Sequence, residues 1–268
     1  MSNEIVQVEQ QPSAMVISNV ETLEALNRSE IDIQISTAKK YPRNITRVLS
    51  TIETLATMDK EVAASCFYSL PRDGKTISGP SVRMAEIVAS AWGNLRVQAR
   101  IIGNDGKIIT AQGVCHDLET NVATSVEVKR KITNKYGKTF SEDMQVVTGN
   151  AACAIAMRNA LFKVVPAAHI KKVLDKAKLL SVGEGKEFEK VRKDTINWFA
   201  SVGVSSKMLF DLLSVKGEQD ITAEMVGDLR GVATAIQEGS STIEEIFAPK
   251  MDEKKAKEVL DKFKDFNQ

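Results

Sequence analysis

The sequence predicts an α+β fold: an antiparallel β-meander with helices packed on one face, followed by a small helical C-terminal domain. Three observations predict it. Residues 94–133 alternate apolar and polar side chains through the runs NLRVQARIIG, KIITAQGVCHDL and NVATSVEVKRKIT, the period-two pattern of half-buried strands. Asn104-Asp105-Gly106 and Asp117-Leu118-Glu119-Thr120 punctuate these runs, and Asn, Asp and Gly tolerate the backbone angles of tight turns. The run TGNAACAIAMRNALFKVVP then reads as one long apolar helix rich in small residues, and the pattern from residue 187 to 247 is helical throughout.

Taken in order, residues 1–35 are polar with weak periodicity and read as a flexible N-terminal arm. From Ile35 to Asp59 the pattern is helical, broken at Tyr41-Pro42 because proline cannot continue an α-helix. CFYSLPRDGK reads as a strand entering a turn. Gly79-Pro80 is expected to open the next helix, with proline in the first turn where a missing N–H is harmless. That helix, SVRMAEIVASAW, should stop at Gly93. The meander and the long helix complete a core over 36–180, and KVLDKAKLL adds a short helix. SVGEG marks a linker over 181–186, and the helical C-terminal domain with its tail spans 187–268. Ser241-Thr-Ile-Glu244 matches a capping box. In the tail, Ala256, Val259, Leu260, Phe263 and Phe266 fall on one helical face.

With 268 residues, a net charge of +1 and three cysteines, total charge does not announce a polyanionic partner. The distribution does. Residues 1–35 carry Glu4, Glu9, Glu21, Glu24, Glu30 and Asp32 against Arg28, whereas Lys129, Arg130, Lys131, Lys135 and Lys138 form a run with no carboxylate among them. Local charge of one sign steers a polyanion even when the whole molecule is near neutral. Alternation puts Lys129 and Lys131 on one face of the strand and Arg130 on the other. Arg96 and Arg100 extend a basic stripe, Arg158 and Lys163 on the long helix reinforce it if that helix lies beside the hairpin, and Tyr136 is placed to stack on a base. The competing reading of KRKITNKYGKT is a solvated hairpin tip.

Other chemistry is poorly supported. Cys66, Cys115 and Cys153 are widely spaced among apolar residues, as expected of reduced thiols in the cytoplasm. No apolar run approaches the roughly 20 residues that span a bilayer, so no membrane partner is expected. Gly74-Lys75-Thr76 resembles the end of a phosphate-binding loop, but Ser69 stands where the first glycine belongs. His116 and His169 have no nucleophile motif nearby, no His/Cys cluster has zinc spacing, and no cofactor is expected. Asp117 with Glu127-Val128-Lys129 fits a Mg²⁺-dependent nuclease, in which two carboxylates hold the metal and the lysine positions water. That alternative stays open, as does a non-catalytic interaction protein.

The order of these elements resembles the single-strand annealing proteins: the RecT and Erf types of phages and the Rad-group annealing mediator of eukaryotes. A strand ending in SLP, a helix ending in WGN, a meander with DGK at its first turn and a terminal helix of the type AAxAIAxRNALFKVV carry the resemblance over about residues 36–180. It implies a non-enzymatic protein that forms rings or helical filaments of its own copies, lays single-stranded DNA in a basic groove and anneals complementary strands without ATP in recombination or repair. It also implies a C-terminal module that docks a host single-strand-binding protein or a phage exonuclease. In the eukaryotic relatives a basic pair on the long helix lines the groove; Arg158 matches one position, Asn159 stands at the other, and Lys163 lies a turn further on.

Overall fold

The computed structural model describes residues 14–72, 75–134 and 136–247. Lys135, Asp73-Gly74 and the tail face of Ala256, Val259, Leu260, Phe263 and Phe266 lie outside the described residues.

The fold is α+β, with an antiparallel meander and helices after it. Helix α1 (Ala14–Lys40) occupies much of the segment expected as a flexible arm, and α2 (Ile45–Ala56) follows Pro42. Asn44 caps α2 by accepting from the Arg47 N–H. Short α3 (Lys60–Ser65) leads into β1 (Phe67–Arg72), which pairs with β2 (Lys75–Pro80) as a two-stranded antiparallel sheet. This hairpin corrects the expectation that the strand CFYSLPRDGK turns directly into the next helix: Lys75 and Thr76 lie on a second strand, paired with β1. Pro80 ends that strand, and Ser81, not the Gly-Pro pair, caps α4 (Val82–Trp92) by accepting from the Met84 N–H. Gly93, at φ +68°, ends α4 as expected.

Strands β3 (Leu95–Asn104), β4 (Ile108–Asp117) and β5 (Val122–Lys131) form a three-stranded antiparallel sheet in sequence order. The turns sit where the sequence puts them: Gly106 has φ +82°, and the Asp105 carboxylate accepts from the Lys107 and Ile108 N–H groups. Helix α5 (Glu142–Val164) lies across one face of this sheet, beginning six residues earlier than expected because Ser141 supplies the cap. Small residues set its approach. Ala111 on β4 meets Ala152 and Ala156 on α5, and a Cβ on Gly113 would overlap the Ala156 carbonyl. Only glycine permits a helix backbone this close to the strand.

Helix α6 (Ala167–Val182) runs to within two residues of α7 (Gly185–Ser201), so the segment expected as a linker is mostly helix. Helices α8 (Ser206–Leu213), α9 (Ala223–Gln237) and α10 (Ile243–Phe247) follow. Their own core is built on Phe199, Leu209, Leu229 and Val232. The cap of α10 is one residue later than expected: the Thr242 hydroxyl accepts from the Glu245 N–H, and Glu245 accepts from the Thr242 N–H.

The C-terminal helices are fastened to the core. Helix α9 lies against β1 through Gly231, where a Cβ would stand 2.8 Å from the Ser69 N. The Thr234 hydroxyl donates to the Ala64 carbonyl, and the Val82 N–H donates to the Glu238 carboxylate at 2.6 Å. The main core lies between α2, α4, α5 and α6, around Ile52, Met84, Val88, Leu161 and Ile170. Among the described residues no helix is long and apolar enough to cross a membrane.

Candidate nucleic-acid interface

The register of the meander sorts the basic residues onto two faces. Val97↔Cys115, Ile101↔Ala111 and Val128↔Ala111 lie on the side covered by α5. Arg96↔His116↔Ala123, Gln98↔Val114↔Ser125 and Arg100↔Gln112↔Glu127 form the rows of the opposite face, and Lys129 stands opposite Thr110 and Lys131 opposite Ile108. Arg96, Arg100, Lys129 and Lys131 therefore share the outer face, with Glu127 the one carboxylate at the outward positions of these three strands. From the His116 row to the Ile108 row is eight residues of strand, or about 27 Å at roughly 3.4 Å per residue. That span covers several successive phosphates of an extended strand.

These side chains are available in different degrees. Lys129 and Lys131 are exposed and make no ion pair with a described residue. Arg100 is exposed and donates to the Gln112 side-chain oxygen at 3.1 and 3.3 Å, which aims its guanidinium along the face. Arg96 is half-buried and donates to Gln34 of α1 at 3.2 Å. Beyond β5, the Asn134 carbonyl oxygen of the side chain accepts from the Tyr136 and Lys138 N–H groups, and Gly137 at φ +78° closes the loop. Both Tyr136 and Lys138 are exposed at this tip. Lys163 is exposed too, but on the last turn of α5, on the other side of the sheet from Lys129.

Arg158 and Arg130 are placed differently from the expectation. Arg158 is 7% exposed. It stacks on Tyr68 at 4.6 Å, faces the Glu238 carboxylate at 3.5 Å, and has Ser240 and Asn159 oxygens at 3.2–3.4 Å. Burial pulls its pKa down from the usual arginine value, while Tyr68 and Glu238 oppose that shift. Burial likewise pushes the Glu238 carboxyl up, and the Val82 N–H and Arg158 pull it back. Arg130, on the α5 side of β5, donates to the Gly239 and Ser240 carbonyls. Both arginines thus clamp the end of α9 to the core and lie apart from the outer face. Nothing local in the sequence signals this, because their partners arrive from Glu238–Ser240.

The nuclease alternative does not assemble. Asp117 is buried at the α5-side end of β4. It makes a two-pronged pair with Arg43 at 2.6 Å on each oxygen, and Glu119 accepts from the Arg43 Nε at 3.1 Å. Burial pushes the Asp117 carboxyl up, but the Arg43 bonds and the Glu119 and Thr120 N–H groups outweigh it and leave it below the ordinary value. Glu127 and Lys129 lie on the outer face, five or more residues along the ladder. The three groups cannot share one metal. Arg43, which the sequence did not single out, also lies 5.2 Å from the Trp92 ring and staples the start of α2 to the β4–β5 turn. Its two acidic partners in the turn DLET were the available signal.

No family model, no curated protein and no solved structure matches this chain. The outer face therefore has to be interpreted on its own geometry.

That geometry suits a charged, flexible polymer better than a small molecule. The face is open, and its cations are spaced along strands. Its neutral positions, Gln98, Thr110, Gln112 and Ser125, offer hydrogen-bonding side chains that tolerate any base sequence.

Proposed function

We propose that this chain binds single-stranded DNA along the outer face of the β3–β4–β5 sheet and anneals complementary strands without ATP, in homologous recombination or repair of the phage type. The observation that carries the reading is the common face of Arg96, Arg100, Lys129 and Lys131, on which Arg100, Lys129 and Lys131 are exposed and Arg96 meets Gln34 of α1. Phosphates neutralised on that face release their counterions, and bases then point away from the protein. Two strands held in this way meet with less mutual repulsion, so pairing is accelerated by positioning alone and no bond is made or broken. Tyr136 at the tip supplies a stacking platform. A track long enough for annealing calls for several copies side by side, as a ring or a helical filament. The C-terminal helices are the surface we assign to a host single-strand-binding protein or a phage exonuclease.

The test mixes complementary labelled oligonucleotides with the full chain, with and without ATP and Mg²⁺. Faster pairing in all conditions, with both strands intact, is the expected result. Strand cleavage, a requirement for ATP, or pairing no faster than in buffer would each overturn the reading.

A further inference from the structure

The outer face of the meander is unevenly charged. Its rows run Arg96–His116–Ala123, Gln98–Val114–Ser125, Arg100–Gln112–Glu127 and Gly103–Thr110–Lys129, with Ile108 and Lys131 last. The cations therefore lie on β3 in the first rows and on β5 in the last. Each edge strand is closed where the other is open. On β5, Ala123 and Ser125 carry no charge, and Glu127 is exposed and makes no ion pair with a described residue. On β3, no cation follows Arg100, and the turn beyond the strand holds the Asp105 carboxylate. Arg100 and Glu127 share a row, yet Gln112 stands between them and takes the guanidinium on its own side-chain oxygen.

Between the two cationic halves the surface is low. A Cβ on Gly103 would meet nothing nearer than the Thr110 side chain, at 3.9 Å, so contact excludes no side chain there. A register shift between Ile101 and Gly103 marks the same spot. Glycine at this position leaves an open saddle from Arg100 to Lys129, floored by the half-buried Thr110 with its hydroxyl.

We propose that single-stranded DNA crosses this face diagonally. It runs along β3 past Arg96 and Arg100, passes over Gly103 and Thr110, and continues on β5 past Lys129 and Lys131. Glu127 is the positioning residue that holds phosphates off the near end of β5. From Arg96 to Arg100 is about 14 Å of strand, the crossing spans two strand spacings of about 4.8 Å each, and Lys129 to Lys131 adds about 7 Å. Glu127 lies about 7 Å along β5 from Lys129, close enough to repel a phosphate placed beside it. This path rests on the proposed binding of single-stranded DNA to the outer face.

Two added lysines test it in the full chain. Gln98 and Ser125 share a row, are both exposed, and lie on opposite edge strands, where lysine is well tolerated. Gln98→Lys puts a charge on the path and Ser125→Lys puts the same charge off it. Fluorescence anisotropy of a labelled oligonucleotide across a salt series reads both, with far-UV circular dichroism to verify folding. Gln98→Lys should steepen the slope of log K against log salt by about 0.7, one further phosphate contact, and Ser125→Lys should leave it unchanged. Glu127→Gln should tighten binding about two- to threefold at about 50 mM salt, and the gain should fade by about 200 mM. Equal steepening by the two lysines, steepening by Ser125→Lys alone, or a Glu127→Gln variant that binds no tighter would each overturn the diagonal path while leaving DNA on this face. A wild-type chain that binds no single-stranded DNA, or a slope that neither lysine changes, would sink the proposed function together with the path.

Discussion

Replacing Lys129 and Lys131 with alanine is the sharpest test of the outer face. Four cations share that face. If each neutralises one phosphate, log K should fall with log salt at a slope of about −2.8, taking about −0.7 per contact on a single strand. Raising salt from about 50 to about 200 mM then weakens binding about 50-fold. Without the two lysines the slope becomes about −1.4 and the same change costs only about sevenfold. Both side chains are exposed and unpaired with described acids, so fold stability should barely move. Fluorescence anisotropy of a labelled oligonucleotide across a salt series reads the slope directly. The matched control is Arg158→Ala, which removes a cation from the seam with Glu238. It should lower stability by about 3 kcal/mol, since it leaves a buried carboxylate without its partner, while the slope of the folded fraction stays near −2.8. An unchanged slope in the lysine variant, or a folded Arg158 variant whose slope falls as far, would refute the assignment of the DNA to the outer face.

Three further outcomes follow from the packing. Gly113→Ala should destabilise by about 3 kcal/mol or more in chemical denaturation, because its Cβ would overlap the Ala156 carbonyl and both backbones must separate; a neutral result would mean α5 does not sit on β4 this closely. Truncation after Leu180 should leave a core that no longer unfolds cooperatively, since it strips α9 from β1 and removes the Thr234 and Glu238 bonds; an intact, cooperative 1–180 fragment would show the C-terminal helices to be a separable module. Asp117 has a folded pKa below its unfolded one, so its pairing with Arg43 is fully present above about pH 4 and is lost as pH falls through the lower folded value. The acid unfolding midpoint of Asp117→Asn, compared with the wild type, checks this: the variant should be less stable at neutral pH, and the gap should close in acid.

The meander and its turns were legible in the sequence because strand alternation and the backbone freedom of Asn, Asp and Gly act over a few residues. The division of Lys129 and Lys131 from Arg130 follows from the same two-residue period. Helix α1 was missed because few of its described side chains pack inward, Ala38 fully and Ile31 and Ile35 by half, too few to give the segment a regular apolar period. Strand β2 was missed because residues 75–80 are short, polar and end in Gly-Pro; pairing with β1 supplies what local propensity lacks. The linker was misplaced for a related reason: Gly183 and Gly185 suggest a flexible joint, yet both take positive φ angles between two helices that are held by their packing.

By itself the sequence determined the fold class, the three-stranded meander, the close-packing small residues of α5 and the existence of a basic stripe, since each is written in spacings shorter than a dozen residues. Only the tertiary structure decided which basic residues act together. Arg158 and Ser240 are 82 positions apart, and Arg130 reaches carbonyls 109 and 110 positions away. Whether a guanidinium faces solvent or a buried carboxylate depends on what the rest of the chain packs over it. Burial is a property of the folded whole, and it moved two of the predicted arginines from the candidate DNA surface into the seam that holds α9 to the core.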